Sequence, residues 1–159
     1  MPLRDMLFRL SLRITACRED AEDIVQETLL RLWKQMEQGT RIDSTDALAV
    51  TICRRLSLDT VARHGRQNIS LDEQAHETPD TGRSPSDRLE AQEQRQRIES
   101  LLARLPEKQR TALQLRDIEG YAYKDIARMM QISEADAKIN IFRARQRLRA
   151  LLLQQPNSI

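Results

Sequence analysis

Apolar residues recur at helical spacing along most of this 159-residue chain, and the longest uninterrupted pattern begins at Ala21. The residues that form this apolar face are Ala21, Ile24, Val25, Thr28, Leu29, Leu32, Trp33 and Met36. Gly39 follows just past the last of them, where a glycine favours the end of a helix. The pattern therefore predicts an amphipathic helix that buries one continuous side.

Two further helices are predicted in the N-terminal part of the chain. The shorter one, before Ala21, is marked by Leu3, Leu7, Leu10, Ile14 and Cys17. The one after Gly39 is predicted to begin with Asp46 as its capping residue. Its apolar positions are Val50, Ile52, Cys53, Leu56 and Val61. Three amphipathic helices of this kind can bury their apolar faces together in a small bundle.

The helical periodicity stops in residues 69–86, whose sequence is ISLDEQAHETPDTGRSPS. This stretch contains Pro79, Gly82 and Pro85 among acidic and hydroxyl-bearing residues, a composition typical of a flexible segment. We therefore predict two small helical domains, residues 1–68 and residues 87–159, joined by a flexible linker.

In the second domain the periodicity resumes at Leu89 and is interrupted at Pro106 and again at Gly120. Residues 123–130 predict a short helix, and Ser133 is predicted to cap a long final helix. A basic helix that follows a shorter one after a tight turn is typical of a helix-turn-helix, a motif that binds DNA.

Composition favours an all-α fold and argues against several classes of function. Aromatic residues make up only 3% of the chain and glycines number only 4, whereas helix-favouring residues are abundant. Cys17 and Cys53 stand apart from any CxxC motif or histidine pair, so we expect no metal, no cofactor and no disulfide framework. An enzyme is the least favoured class, because the sequence has two histidines and no glycine-rich phosphate loop.

Hydropathy and charge predict a cytoplasmic protein with a polyanionic partner. No run of about eighteen apolar residues is present, and the N-terminal residues alternate charged and apolar side chains, so we expect no signal peptide and no direct membrane insertion. The net charge of the whole chain is +2, but residues 104–159 carry 11 Lys and Arg against 6 Asp and Glu. This basic end is the predicted polyanion-binding region.

One aromatic side chain of the final helix falls outside its predicted buried face. That face comprises Ala137, Ile141, Ala144, Leu148 and Leu151. Phe142 and Ile139 fall on the opposite side, next to Lys138, Asn140 and Arg143. On a helix that enters the major groove, apolar side chains contact thymine methyl groups and basic side chains bond guanine. The alternative is that Phe142 packs against a neighbouring helix and that the cations form a solvated face.

The helix that carries the first apolar pattern presents carboxylates on its other side. Glu19, Asp20, Asp23 and Glu27 lie there, with Gln26 beside them. Such a surface can bind a basic partner helix. Acidic residues in a first turn also stabilise the helix dipole and improve solubility, and composition alone favours this second explanation.

Two stretches resemble the bacterial sigma-70 family of RNA polymerase sigma factors, specifically its extracytoplasmic-function (ECF) group. AEDIVQETLLRLW resembles conserved region 2.2, and LPEKQRTALQLRDIEGYAYKDIARMMQISEADAKINIFRARQRLRALL resembles region 4. Together with LSLDTVARHGR they cover most of the chain outside the linker. The resemblance implies a sigma-2 domain in residues 1–68 and a sigma-4 domain in residues 87–159. It also implies a protein that binds core RNA polymerase and directs transcription from specific promoters.

The resemblance implies roles for residues of the first domain. The segment that binds the clamp coiled coil of the largest polymerase subunits in the family contains Asp20, Glu22, Asp23, Gln26 and Glu27. The regions that engage the minus-ten promoter element and the separating strand contain Leu58, Asp59, Arg63 and Arg66. From their charge alone, a basic edge for single-stranded DNA is formed by Arg54, Arg55, Arg63 and Arg66. The alternative for Asp59 is that it only orients Arg63 one turn later.

In the second domain, the family places the N-terminal half of the last helix in the major groove of the minus-thirty-five element. The residues at the base-facing positions here are Lys138, Ile139, Phe142 and Arg143, with Asn140 among them. Arg145 is expected to contact phosphate or solvent, and Arg110 and Lys124 to fix the domain on the DNA backbone. The family usually has Gly or Asn near Gln131, in the turn before this helix.

The resemblance also implies partners beyond promoter DNA and polymerase. Family members are commonly held inactive by an anti-sigma factor, so we expect such a partner to cover the polymerase-binding faces. The linker is expected to thread near the active-site channel of polymerase. Because the first helix begins a few residues after Met1, earlier than is common in the family, part of region 2.1 is expected to be missing.

Two rival functions keep the same helices but use them differently. A standalone helix-turn-helix regulator would form a dimer on palindromic half-sites, with the acidic helix at the self-interface. An adaptor that mimics a sigma factor would have lost the DNA-binding face, whereas Lys138, Asn140, Phe142 and Arg143 are all present in this sequence.

Overall fold

The described structure is entirely helical, as the sequence predicts. A computed structural model describes residues 2–67 and 86–154, without the side chains of residues 66, 67 and 86–88. Within these ranges there are seven α-helices, one π-helical turn and no β-strand. The α-helices are α1 (Pro2–Thr15), α2 (Arg18–Glu37), α3 (Thr45–Gln67), α4 (Ser86–Leu102), α5 (Glu107–Leu113), α6 (Tyr123–Met130) and α7 (Glu134–Gln154). The π-helical turn is Gln114–Ile118. The predicted linker lies outside the described residues, apart from Ser86 at the start of α4.

Helices α1, α2 and α3 form the N-terminal bundle that the three apolar patterns predict. Leu7, Leu10, Val50 and Cys53 are fully buried between them, and burial raises the pKa of the Cys53 thiol to about 12. Several polar residues also lie inside the bundle, Ser11 and Ser57 among them, and each needs a hydrogen-bond partner. The hydroxyl groups of Ser11 in α1 and Ser57 in α3 form a hydrogen bond with each other, with their oxygens 2.8 Å apart.

The residue that caps α3 is not the one predicted. The backbone N–H of Ala47 donates to Ser44 Oγ at 3.1 Å, so Ser44 satisfies the first turn and the prediction of Asp46 as the cap is wrong. Asp46 lies inside the first turn of α3 and accepts a 2.7 Å hydrogen bond from the phenol of Tyr121. The Asp46 carboxylate, which was predicted to cap its own helix, therefore connects α3 to the C-terminal half of the chain.

The C-terminal domain consists of α4 to α7 and the π-helical turn. Leu115, Ile126 and Ile141 are fully buried in its centre. The predicted cap of α7 is confirmed, because the N–H of Asp136 donates to Ser133 Oγ at 3.0 Å. The π-helical turn was not predicted, since its wider backbone path has no distinct sequence pattern. Gly120 lies two residues after this turn, and its φ of +82° favours glycine.

The turn between α6 and α7 places Gln131 in the left-handed region, with φ +58° and ψ +47°. A residue with a β-carbon is strained there by about 1 kcal/mol, which explains why Gly or Asn suits this position. We expect Gln131→Gly to raise the free energy of unfolding by about 0.5–1 kcal/mol. Thermal unfolding monitored by circular dichroism measures the change. Gln131→Ala is the control, since it keeps the strain; if it stabilised equally, the strain would not be the cause.

The two halves of the chain share one hydrophobic core. Val50 and Cys53 of α3 belong to the same buried cluster as Met129 and Ile141 of the C-terminal domain. The hydroxyl of Thr51 donates to the carbonyl oxygen of Met129 at 3.0 Å, where α3 lies against α6. The described part of the chain is therefore closed, with its two helical halves packed against each other.

Candidate nucleic-acid interface

The outer face of α7 exposes its largest apolar side chain, Phe142, to solvent. Phe142 is 60% exposed and Ile139 is 42% exposed, whereas Ala137, Ile141 and Ala144 on the inner face are buried. Within residues 2–67 and 86–154, no neighbouring helix buries Phe142, so the alternative in which it packs against one does not hold there. Exposed Phe142 and Ile139 together on a basic helix are a candidate contact site for a partner.

Polar and cationic side chains surround Phe142 on α7. Lys138 and Arg143 are exposed, and Lys138 Nζ lies 5.4 Å from the centre of the Tyr123 ring. Arg116 lies over the same ring, at 4.3 Å. The contact with the Tyr123 ring favours this position of Lys138 near the N-terminal end of α7. The amide nitrogen of Asn140 donates to the carbonyl oxygen of Asp136 at 2.9 Å, within the helix.

The three cations assigned to the DNA backbone differ in their surroundings. Arg145 forms a two-pronged ion pair with Asp117, at 2.6 and 3.1 Å, and its hydrogen bonds to Asp117 raise the pKa of its guanidinium. Arg110 is half-buried and donates to the carbonyl oxygen of Leu105 at 3.2 Å, and burial lowers its pKa. Lys124 is exposed at the start of α6. Of these three cations, Lys124 is the one that is neither half-buried nor held in a two-pronged ion pair.

The basic edge of α3 faces the C-terminal domain at one end and solvent at the other. Arg54 forms a two-pronged ion pair with Glu107, with both distances 2.9 Å, and only 17% of its side chain is exposed. Arg55 donates to Gln131 Oε1 at 2.6 Å. Asp59 and Arg63 are exposed, and Leu58 is half-buried. The side chain of Arg66 lies outside the described residues.

Glu107 lies at the start of α5 and is stabilised as a carboxylate. Burial alone would raise its pKa, but hydrogen bonds from Arg54 and Thr111 outweigh burial and bring the pKa below the ordinary value of 4.5. A carboxyl with a lowered pKa stabilises the folded state above pH 4.5, and this contribution is lost as the pH falls through the lowered value.

This shift predicts an acid-sensitive contribution to stability. We expect the free energy of unfolding of Glu107→Gln to fall below that of the unmodified chain at neutral pH, and the difference to shrink as the pH falls below 4.5. The physical reason is that a protonated carboxyl and an amide are both neutral. Urea unfolding of both chains over this pH range measures the difference. A difference that did not change with pH would contradict the assigned ionisation.

The carboxylate face of α2 is exposed as predicted. Glu22, Asp23, Gln26 and Glu27 are open to solvent, with Glu27 Oε2 at 2.9 Å from Arg31 Nε on the same helix. Asp20 is half-buried, and its Oδ2 lies 3.7 Å from His64 Nε2 of α3. These groups form one acidic surface on the outside of the N-terminal bundle.

Three large apolar side chains extend this acidic surface, and the sequence pattern missed them. Trp33 and Met36 were predicted to lie on the buried face of α2, but they are 59% and 54% exposed, and Leu30 is 52% exposed. The prediction was wrong because α1 and α3 cover only the side of α2 that holds Ile24 and Val25. The spacing of Gln26, Leu30 and Trp33, four and then three residues apart, could have revealed a second face.

Two classes of site are not found in the described structure. No group of three or more His, Cys, Asp or Glu side chains among the described residues could hold a metal ion. None of the helices within residues 2–67 and 86–154 has the length and apolar character that crossing a membrane requires. The candidate functional features that the described residues do show are the exposed surfaces of α2, α3 and α7.

Comparison with known proteins identifies the family. The family described as sigma-70 region 2 matches residues 1–67, and the family described as sigma-70, region 4 matches residues 95–148. The ECF RNA polymerase sigma factor SigM of Bacillus subtilis is 32% identical over 146 residues, which are 91% of this chain and 87% of SigM. The chain belongs to the ECF group of the sigma-70 family. SigL of Mycobacterium tuberculosis strain H37Rv is 30% identical over 148 residues, 92% of this chain and 82% of SigL.

Not every ECF relative has the length of this chain. It is 30% identical to SigE of Mycolicibacterium smegmatis over 149 residues, but these span only 58% of SigE. A crystal structure of the sigma factor RpoE with the anti-sigma factor NepR from Bartonella quintana shares the fold, with a TM-score of 0.73 and 24% identity. That likeness covers 96% of this ECF chain and 93% of RpoE. Helices α1 to α3 fall within the region 2 match. Helices α5 and α6 fall within the region 4 match, and α7 begins inside it and extends beyond residue 148.

Proposed function

We propose that this ECF chain binds core RNA polymerase and directs it to specific promoters. The observation that supports this function best is the presence of two separate exposed surfaces, one acidic and apolar on α2, the other basic and aromatic on α7. A protein that brings RNA polymerase to a DNA sequence needs one surface for each partner, and here the two surfaces have opposite charge. Residues 1–68 and 87–159 are the proposed sigma-2 and sigma-4 domains.

The α2 surface is the proposed polymerase-binding site. Its carboxylates Asp23 and Glu27 lie beside exposed Leu30 and Trp33, so the surface combines charge with an apolar centre. A basic helix pair, such as the clamp coiled coil of the polymerase, can contribute both complementary charge and apolar contact. Asp20, Glu22 and Gln26 belong to the same surface, and the matched relatives are named as RNA polymerase sigma factors.

The α3 and α7 surfaces are the proposed promoter-binding sites. On α7, Phe142, Ile139, Lys138 and Arg143 would contact base edges of the minus-thirty-five element in the major groove. Arg145, Arg110 and Lys124 remain proposed backbone contacts, although Asp117 and burial restrain the first two. On α3, the proposed contacts to the minus-ten strand are Arg54, Arg55, Leu58, Asp59, Arg63 and Arg66.

The other proposed properties follow from this role. The chain would work in the cytoplasm, where polymerase and promoters are, and it would perform no chemistry of its own and need no cofactor. The RpoE structure contains an anti-sigma factor, and we propose that a similar partner covers the surfaces of this chain. The linker between the domains would follow a path near the polymerase active-site channel.

In vitro transcription tests the proposed function directly. Purified chain added to core polymerase and a genomic template library should produce start sites that share two upstream sequence elements. Free chain should bind the same promoters weakly, because only polymerase fixes the spacing of the two DNA-binding domains. The proposal fails if polymerase initiates no differently with and without the chain. A dimer in light scattering, with palindromic sites, would instead support the rival helix-turn-helix regulator.

A further inference from the structure

The C-terminal domain occupies part of the surface of α3 that is proposed to bind DNA. Arg54 lies at this contact, where both prongs of its guanidinium donate to the Glu107 carboxylate at 2.9 Å. The hydroxyl of Thr111 donates to the same carboxylate at 2.7 Å and holds it in place. Only 17% of the Arg54 side chain and 21% of the Glu107 side chain are exposed. Arg54 is therefore paired and largely covered in the closed chain.

The pairing of Arg54 with Glu107 uses the geometry by which arginine binds a phosphate. A guanidinium presents parallel N–H groups that fit two oxygens of a carboxylate or two oxygens of a phosphate equally well. Since both ligands need the same donors, Glu107 and a DNA phosphate cannot bind Arg54 in this way together. The Glu107 carboxylate on α5 thus occupies the two donors that Arg54 would offer to a phosphate.

Neighbouring contacts keep the C-terminal domain in the same position. Arg55, the next cation on α3, donates to Gln131 at 2.6 Å, and Thr51 donates to the carbonyl oxygen of Met129 at 3.0 Å. A further contact between the two halves is the two-pronged pair of Arg9 of α1 with Glu119, at 2.9 and 3.1 Å. Helices α3 and α6 also contribute residues to one shared apolar cluster.

We propose that the free chain is closed upon itself, with Glu107 bound to Arg54 in place of a DNA phosphate, so that α3 binds single-stranded DNA only after the two domains separate. The proposal rests on the proposed role of Arg54 in minus-ten binding. It adds a second, intramolecular partner for that residue. The affinity of the free chain for a DNA strand is then reduced by the fraction of molecules that are open.

Charge reversal at Glu107 tests the closure. Glu107→Arg places a cation against Arg54 and Arg110, so the domains should separate and the radius of gyration from X-ray scattering should rise. The affinity for a fluorescein-labelled single-stranded DNA pool of random sequence should increase about fivefold or more. Asp43→Arg is the matched control, because it makes the same charge change on an exposed side chain outside the contact. It should leave the dimensions unchanged and raise the affinity less.

The double variant Arg54→Glu with Glu107→Arg separates closure from DNA binding. It restores an ion pair of reversed direction, so the scattering should return to that of the unmodified chain, while the gain in DNA affinity should disappear because the cation on α3 is gone. Helix content from circular dichroism shows whether each variant is folded. If Glu107→Arg loses helix content, Glu107→Gln, which removes only the charge, replaces it with a smaller expected expansion.

Two results would overturn the proposal. In one, charge reversal at Glu107 leaves the scattering curve and the DNA affinity unchanged. In the other, the chain expands but binds the DNA pool no better than Asp43→Arg does, which would mean that Arg54 is not a shared ligand. Neither result decides the proposed function, since transcription with core polymerase and the unmodified chain tests that function separately.

Discussion

Replacing both Asp23 and Glu27 with Lys is expected to weaken binding to core RNA polymerase by about 30-fold or more, equivalent to at least about 2 kcal/mol. The two carboxylates are exposed on the outside of α2, beside the apolar side chains of Leu30 and Trp33. A basic partner helix would meet cations instead of anions at the centre of the contact, and like charges there repel at short range. Binding of labelled chain to core polymerase, followed by fluorescence anisotropy, measures the loss.

A control with the same charge change distinguishes a specific contact from a general effect of charge. Asp43→Lys combined with Glu90→Lys adds as much positive charge on exposed side chains away from α2, and it should leave polymerase affinity within about threefold. Both variants should keep the same helix content and the same melting curve as the unmodified chain. An equal loss of affinity in the control would mean that α2 is not the polymerase-binding surface.

The sequence predicted the helix-turn-helix because its signals are local. Ser133 caps the following helix through a backbone N–H three residues away, and an amphipathic pattern of eight residues defines α6. The position of Phe142 on the outer face followed in the same way, from helical spacing within one element. Local hydrogen bonds and side-chain periodicity depend on neighbours in the sequence, so one sequence is enough to find them.

The sequence could not predict which side of a helix faces a distant element. Trp33 and Met36 continue the apolar pattern of α2, yet no described helix covers them, because coverage depends on where α1 and α3 end in space. The contact between the two domains could not be predicted from the sequence for the same reason. Arg54 and Glu107 are 53 positions apart, and nothing in the spacing of either residue indicates its partner. The pattern around Arg54 indicates only a basic edge.

The exposed aromatic of α7 gives the sharpest test of promoter recognition. We expect Phe142→Ala to reduce initiation at the preferred promoter by about 5- to 150-fold, equivalent to about 1–3 kcal/mol, and to change which minus-thirty-five sequences are used. Since the side chain is 60% exposed, its loss should barely alter the free energy of unfolding. Arg143→Ala should act similarly, at positions occupied by guanine. Transcription from a library of randomised minus-thirty-five elements measures both effects.

The matched control for this prediction is Gln146→Ala, one helical turn beyond Phe142 on an exposed part of α7. It should leave promoter choice unchanged, because only the N-terminal half of a recognition helix reaches base edges. Polymerase affinity should be the same for all three variants, since α2 is untouched. If Phe142→Ala lowered transcription from every promoter by one common factor, the side chain would be stabilising the complex without contributing to sequence recognition. A change confined to particular base positions would instead place Phe142 in the groove.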